Sequence, residues 1–141
     1  MKKILIINAN YYKAITDKLV KSSLKTLKQK NYKCNLLMVP GVFEIPLAIK
    51  KNIKKYDAFL ALGCVIKGKT PHFDLICQST FQTILLLSIN YGKPIGNGII
   101  TALNMRQALE RCGTIKSNKK NKGLEATNPV ISSLSNAPKK I

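Results

Sequence analysis

The chain has 141 residues, 45% of them hydrophobic, and 24 lysine or arginine residues against six acidic ones, a formal net charge of +18. We expect one domain over residues 1–141, because domains typically contain about 100–200 residues. No apolar run approaches the roughly 20 residues that cross a bilayer, and the apolar stretch after Met1 is too short for a signal peptide. These features exclude a membrane-spanning class and predict a soluble, cytoplasmic protein.

The positive charge favours partners that carry phosphate, whether nucleic acid, membrane or small substrate. Only Arg106 and Arg111 are arginines, whereas proteins that read nucleic acids usually rely on arginine for bidentate and stacking contacts. Lys, Ile and Asn are abundant along the whole chain, which indicates a general bias in composition. We therefore expect no specific nucleic-acid partner, and a basic nucleic-acid-binding protein remains an alternative function.

Expected strands and helices alternate in chain order. Apolar runs predict strands at residues 4–7, 34–39, 58–62 and 95–100, and helical spacing predicts helices at 14–30, 43–53, 72–89 and 105–112. This alternation is typical of a parallel sheet with helices on both faces.

The amino-acid composition changes after Gly113. Residues 116–122 are rich in lysine, with almost nothing to bury, and are predicted to form a surface loop. The last segment is expected to hold a short helix with Pro129 in its first turn, followed by a frayed tail at 137–141.

The four cysteines, Cys34, Cys64, Cys77 and Cys112, are too far apart for a C-x-x-C metal pair. A chain without an export signal is expected to keep its thiols reduced. The sequence therefore predicts free thiols and no metal site.

The stretch GCVIKGKT, residues 63–70, has the spacing of a P-loop, G-x-x-x-x-G-K-[ST]. A nucleotide hydrolase of that class also needs an Asp that holds magnesium at the end of a second apolar strand. None of the six acidic residues has that position. Residues 64–66 are bulky and partly β-branched, which favours an extended segment over a tight anion-binding turn. The sequence therefore disfavours a nucleotide hydrolase.

Two neighbouring clusters indicate a different site. His72, the single histidine, begins a helix just after Lys69 and Thr70, and a helix N-terminus can bind phosphate through its free N–H groups while an imidazole moves protons. Glu44 falls in the first turn of the helix after Gly41, where it either complements the helix dipole or accepts hydrogen bonds from ligand hydroxyls. Both loops leave carboxyl ends of parallel strands, so we expect them to face one crevice.

Four motifs appear in order: VPGVFEIP, ALGCVIKGKTPHFD, PIGNGIIT with Gln107-Ala108 and Arg111, and NKGLEA. Over about residues 4–127 they resemble the 6,7-dimethyl-8-ribityllumazine synthase family. The resemblance implies a three-layer αβα sandwich with a four-stranded parallel, flavodoxin-like sheet. It also implies the penultimate step of riboflavin biosynthesis, which condenses 5-amino-6-(D-ribitylamino)uracil with 3,4-dihydroxy-2-butanone 4-phosphate and releases phosphate and water. The family needs no metal or organic cofactor.

The resemblance also implies roles for residues, position by position. His72 matches the proposed acid/base residue. The expected ring and ribityl contacts are stacking by Tyr11, ribityl binding by Val42, Phe43 and Glu44, and backbone contacts from Cys64, Val65 and Ile66. The alternative for Tyr11 and Phe43 is that they are aromatic residues of the hydrophobic core, with no role in binding.

The remaining expected positions concern phosphate and a second subunit. Lys69 and Thr70 match the phosphate loop, and Arg111 matches the arginine that binds the substrate phosphate across the interface. Asn97 stands where many members have a Phe from the adjacent subunit. Lys69 as a solvated charge and Arg111 as a cation complementing a helix dipole are the alternatives.

Three departures from the family pattern concern assembly. Arg106 replaces the usual acid before Gln-Ala, the connection after Arg111 is about three residues longer than in shell-forming members, and Pro129 is expected to shorten the last helix. A longer loop would crowd contacts between pentamers. We therefore expect a homopentamer with sites between subunits, with a sixty-subunit shell as the alternative assembly and a catalytically idle shell or scaffold relative as the alternative function.

Overall fold

The computed structural model describes residues 1–113 and 120–141, so residues 116–119 of the Lys-rich segment lie outside the described residues. The strands are β1 Lys3–Ala9, β2 Lys33–Val39, β3 Ala58–Ile66 and β4 Ile95–Ala102. The helices are α1 Lys13–Gln29, α2 Ile45–Asn52, α3 His72–Tyr91, α4 Met105–Arg111 and α5 Lys122–Ser135, and a 3-10 turn spans Val42–Glu44.

The strands form one parallel sheet in the order β2-β1-β3-β4, which confirms the predicted α/β class. β1 pairs with β2 along its whole length. On its other side β1 pairs with β3 only as far as Asn8 opposite Leu62, whereas β3 and β4 stay paired to Ile66 opposite Ala102. The chain leaves β1 on one side for β2 and on the other for β3, so the topological switch point lies between β1 and β3.

Helices cover both faces of the sheet and create two hydrophobic cores. The first core lies between the sheet and α1, α4 and α5, and contains Leu19 and Val130. The second lies between the sheet and α2 and α3, and contains Ile49 and Ile84. The result is the three-layer sandwich that the alternating pattern predicted. In the described part of the chain, no helix combines the length and the apolarity that crossing a bilayer requires.

β3 is longer than the predicted strand at 58–62, because it includes the first residues of the P-loop-like stretch. Residues 63–66 continue the strand and pair with β4. Gly63 serves packing: a Cβ at this position would lie 2.7 Å from Val42 Cγ1 and 3.3 Å from Ala9 Cβ. The first half of the P-loop-like stretch is therefore extended backbone, and its glycine lets the 3-10 turn approach the sheet.

The predicted helix at 43–53 is divided into two parts. Phe43 and Glu44 belong to the 3-10 turn, and α2 begins at Ile45. Buried Val42 holds the turn against β3, and the Glu44 N–H donates to Gly41 O at 3.2 Å. Pro46 then lies in the first turn of α2, where its missing N–H costs no intrahelical hydrogen bond.

The last helix contradicts the expectation of a short segment. α5 runs for 14 residues, and Pro129 lies inside it instead of in its first turn. The reason is tertiary packing: Cβ atoms at Gly96 and Gly98 would lie 2.5 Å from Ala126 O and 3.2 Å from Ala126 Cβ. This close contact of α5 with β4 outweighs an interior-proline penalty of about 3 kcal/mol. Residues 137–141 are exposed and have no regular structure.

Candidate functional site

The main cavity lies at the carboxyl edge of the sheet, at the switch point between β1 and β3, where open α/β folds bind ligands. Its volume is about 670 Å³. Three segments and one helix contribute to its walls, and its lining consists of Tyr11, Tyr12, Gly41, Val42, Phe43, Glu44, Cys64, Val65, Ile66, His72 and Ile76. The two loops that the sequence predicted to share a crevice do so.

The segment after β1 places two aromatic rings in the cavity. The Asn10 N–H donates to Val39 O at 3.1 Å, which ties the ends of β1 and β2 together just before this segment. Tyr12 is the N-cap of α1, so its carbonyl accepts the first helical hydrogen bonds. Tyr11 is 77% exposed and meets the Tyr12 ring edge-to-face, with 5.0 Å between centroids. A ring so exposed is available for stacking.

The segment after β2 forms the second wall. Val42 is buried and anchors the 3-10 turn, whereas Phe43 is 64% exposed and Glu44 is exposed. A Cβ at Gly41 would lie 3.0 Å from Glu44 Oε2, so this glycine allows the carboxylate to fold back over the backbone. The wall therefore combines an apolar ring with a carboxylate that can accept hydrogen bonds from hydroxyl groups.

The end of β3 forms the floor. Beyond Leu62, β3 has no register partner in β1, so one edge of its last residues is open to the cavity. Cys64 is buried, and burial, followed by the neighbouring Cys112, raises the pKa of its thiol from 9.0 to about 12. The thiol is therefore neutral near pH 7 and is a poor nucleophile.

His72 lies at the rim. It is the first residue of α3, is exposed, and shares the helix face with Ile76 one turn later, which also lines the cavity. No cap side chain occupies the N-terminus of α3, because the N-cap residue is Pro71. The imidazole and the free N–H groups of the first turn thus lie together at the entrance of the cavity.

Comparison with known proteins finds relatives over most of the chain. The family model for 6,7-dimethyl-8-ribityllumazine synthase matches residues 1–137. The chain is 41% identical over 138 residues to the 6,7-dimethyl-8-ribityllumazine synthase of Campylobacter curvus, covering 94% of this chain and 86% of that protein. The proteins of the same name from Aliarcobacter butzleri and Campylobacter jejuni strain 81-176 are 40% and 42% identical, again over 94% of this chain and 86% and 87% of their own lengths.

The chain belongs to the 6,7-dimethyl-8-ribityllumazine synthase family.

Four of the residues that the lumazine synthase resemblance singled out lie outside the main cavity. Lys69 and Thr70 are exposed between β3 and α3, a few residues before His72, and do not line the cavity. Asn97 lies in β4, half-buried, with its Oδ1 accepting from the Ile99 N–H at 3.1 Å. Arg111 lies at the end of α4, and its Nη1 donates to Gln107 O at 3.3 Å.

Arg111 lines a second, smaller hollow of about 160 Å³. The hollow is basic: Lys120 and Lys122 line it together with Arg111, against one acid, Glu125, whose Oε2 lies 3.7 Å from Lys122 Nζ. The two cavities share no lining residue among the described residues. Within one chain of this lumazine synthase family member, the main cavity and the basic hollow are therefore separate among the described residues.

The neighbouring arginine has a different environment. Arg106 Nε lies 3.4 Å from Glu110 Oε1 on its own helix, and its side chain is 85% exposed. α4 itself is capped by Asn104, whose side chain accepts from the Gln107 N–H at 2.9 Å. The cap holds the helix that carries both arginines, and only Arg111 of the two lines either cavity.

Sequence reasoning missed two residues of the cavity lining, Tyr12 and Ile76. Ile76 could have been found, because it lies four residues after His72 on a predicted helix and so shares its face. Tyr12 had no such signal. Adjacent residues normally point in different directions, and only the turn into α1 places both tyrosines in one cavity.

Proposed function

We propose that this chain is a lumazine synthase that condenses 5-amino-6-(D-ribitylamino)uracil with 3,4-dihydroxy-2-butanone 4-phosphate. The products are 6,7-dimethyl-8-ribityllumazine, phosphate and water. The observation that carries the proposal is the cavity at the β1/β3 switch point, which brings together Tyr11, residues 42–44, residues 64–66 and His72. Family membership supports the same reaction.

The cavity suits a flat heterocycle with a polyol tail. The pyrimidine ring stacks on Tyr11, and its polar edge bonds to the backbone at the end of β3, where one edge of the strand is open. The ribityl chain lies along residues 42–44, where the Glu44 carboxylate accepts hydrogen bonds from its hydroxyls. The neutral Cys64 thiol adds no charge beside the ring.

The chemistry consists of imine formation, elimination of phosphate and ring closure. Each step transfers protons between groups that the site holds together, so positioning two substrates supplies most of the rate. The amine of the ribitylaminouracil attacks the ketone carbon, water leaves from the carbinolamine, and phosphate departs with the C–O electron pair. The ribitylamino nitrogen then attacks the carbonyl carbon that this elimination generates, and a second water leaves as the ring closes. His72, at the rim, accepts and returns the protons. Lys69 and Thr70 bind the phosphate beside the N-terminus of α3.

We further propose that a second copy of the chain completes the site. α3 contains 20 residues, of which only Thr80 and Ile84 are buried, while Leu85 and Ile89 are 61% and 66% exposed. A helix that is apolar all round needs burial on its other side. A neighbouring protomer that covers α3 can bring Asn97 and Arg111 to the cavity, with Arg111 binding the substrate phosphate.

Activity is tested by incubating the purified protein with both substrates and recording the absorbance and green fluorescence of the lumazine. We expect one phosphate released per lumazine formed, and no product when either substrate is omitted. A protein that forms no lumazine at any substrate concentration contradicts the proposed reaction and leaves the idle scaffold.

Assembly is tested by sedimentation velocity. A homopentamer of 15.6 kDa chains sediments as a species of about 78 kDa, and we favour it over a sixty-subunit shell of about 0.9 MDa. A particle near a megadalton contradicts the pentamer. An active monomer contradicts the shared site.

A further inference from the structure

Tyr12 lines the main cavity, and no motif of the sequence assigns it a role. Its ring is partly buried against the core formed by α1, α4 and α5. Its carbonyl accepts hydrogen bonds from the Ile15 and Thr16 N–H groups, both at 3.0 Å, so its backbone is fixed at the start of α1. A residue held at both its backbone and its ring has a side chain of defined orientation at the cavity wall.

No hydrogen bond joins the Tyr12 hydroxyl to another of the residues 1–113 and 120–141, and the ring that carries it is only partly buried. Burial, the neighbouring Tyr11 and the Cys64 thiol together raise its pKa above 10.0. The phenol therefore keeps its proton near neutral pH and can donate as well as accept. A hydrogen bond from a ligand to this hydroxyl is favourable because it replaces no hydrogen bond within the protein.

The Tyr12 ring also constrains the orientation of the neighbouring Tyr11 ring. Tyr11 is 77% exposed and has few contacts that could hold its ring. The edge of one tyrosine meets the face of the other at 81° and 5.0 Å, an arrangement that aromatic pairs prefer. Because Tyr12 is anchored and Tyr11 is not, this contact determines the orientation of the stacking ring before a ligand arrives.

Two uncharged side chains, those of Tyr11 and Cys64, lie next to Tyr12. Cys64 is a neutral thiol, and the other aromatic neighbour is Tyr11. A phosphate gains little beside two neutral groups, whereas a carbonyl or ring N–H of a heterocycle gains a hydrogen bond without losing a charge interaction. This part of the cavity therefore fits the flat polar ring and not the phosphorylated substrate.

From these contacts we infer that Tyr12 is a second ring-binding residue: its hydroxyl hydrogen-bonds the heteroaromatic ring, and its edge-to-face contact preorganises Tyr11 for stacking. The inference rests on the proposed function for the identity of that ring. It assigns specificity for the ribitylaminouracil to a pair of adjacent tyrosines.

The test compares Tyr12→Phe, which removes only the hydroxyl, with Tyr12→Leu, which also removes the edge-to-face contact. The probe is 6,7-dimethyl-8-ribityllumazine, titrated by its own fluorescence. We expect Tyr12→Phe to weaken binding about five- to tenfold, the loss typical of one hydrogen bond, and Tyr12→Leu to weaken it about threefold further. The KM for the ribitylaminouracil should rise in parallel, while the KM for the butanone phosphate stays within about twofold.

The matched control is Tyr56→Phe. Tyr56 contacts Phe59 near the opposite edge of the sheet and does not line the cavity, so its variant should bind lumazine like the wild type. Thermal unfolding of all three variants checks that the fold is intact.

Tyr12→Phe binding within twofold of wild type, or equal increases in both KM values, overturns the inference and leaves the proposed reaction standing. A wild-type protein that binds lumazine but forms none overturns the reaction, and the binding series still decides the role of Tyr12. A wild-type protein that does not bind lumazine overturns both.

Discussion

The main cavity and the Arg111 hollow are opposites in chemistry. The cavity is about 670 Å³, is lined by aromatic and apolar groups and has Glu44 as its one carboxylate, whereas the hollow is about 160 Å³ and has three basic side chains. One suits an uncharged ring with hydroxyls, and the other suits a phosphate. The two substrates have these two characters, yet the surfaces are separate on one protomer. The contrast teaches that one chain holds the two surfaces that the proposed site requires without joining them.

The largest expected effect comes from removing His72, the proposed proton-transfer group at the cavity rim. We expect His72→Ala to lower kcat about 100-fold, since general acid–base catalysis contributes about 10²- to 10⁴-fold and positioning remains. Lumazine binding, measured by fluorescence, should change less than threefold. Gln29→Ala, an exposed position at the end of α1 and outside both cavities, is the control. A variant that loses binding and turnover equally contradicts a catalytic role for His72.

The proposed phosphate binding by the Arg111 hollow is tested with Arg111→Ala. We expect the KM for the butanone phosphate to rise about 10- to 100-fold, because hydrogen bonds to charged groups contribute about 1.5–3 kcal/mol. The KM for the ribitylaminouracil should stay within about twofold. The matched control is Arg106→Ala, on the same helix but paired with Glu110 and outside both cavities. Unchanged kinetics with the phosphate substrate would show that the interface assignment is wrong.

Mixed assemblies test whether one active site combines the main cavity of one chain with the Arg111 hollow of another. His72→Ala and Arg111→Ala protomers, co-expressed with different affinity tags and purified through both, should regain activity. With random mixing, about one quarter of the sites combine an intact cavity from one chain with an intact arginine from its neighbour.

The control for mixing is His72→Ala co-assembled with Arg106→Ala, which should reach about one half of wild-type activity by the same counting. Turnover in the first mixture no higher than that of its better parent would place His72 and Arg111 in the same chain's site.

The smallest expected effect concerns the neutral floor of the cavity. Cys64→Ala should change kcat/KM less than threefold, since the thiol carries no charge and the proposed ring contacts come from the backbone. The measurement is steady-state kinetics with both substrates. A loss of more than tenfold would mean that the sulfur takes part directly.

The Cys64→Ala substitution also tests the raised pKa of the Cys64 thiol, through the pH dependence of the free energy of unfolding. The unfolded thiol loses its proton near 9.0, before the folded one at about 12. The unfolded state therefore binds fewer protons in this window, and the free energy of unfolding of the wild type falls as pH rises from 9.0 to about 12. The Cys64→Ala variant should lack this component, by at most about 1.4 kcal/mol per pH unit. Denaturant unfolding of both proteins at pH 8 and pH 10 checks the difference.

Several elements could be read directly from the pattern of residues. The starts of α3 and α4 and the succession of strands and helices along the chain follow from apolar spacing, because burial on one side imposes a period on the sequence. The shared crevice of residues 40–44 and 64–72 follows from topology, since carboxyl ends of parallel strands meet at one edge. Prediction was wrong for α5, where Pro129 indicated a local break that packing against Gly96 and Gly98 overrides.

The sequence by itself determined the class of fold, the family, and the two loops that form the cavity, because these depend on local periodicity and on motifs of adjacent residues. Only the tertiary structure decided that Gly63 serves packing, that Tyr12 joins Tyr11 in the cavity, and that Arg111 lies in a separate basic hollow. These facts depend on distances between segments far apart in the chain. Such distances are set by how helices and strands pack together, and no local pattern of residues encodes them.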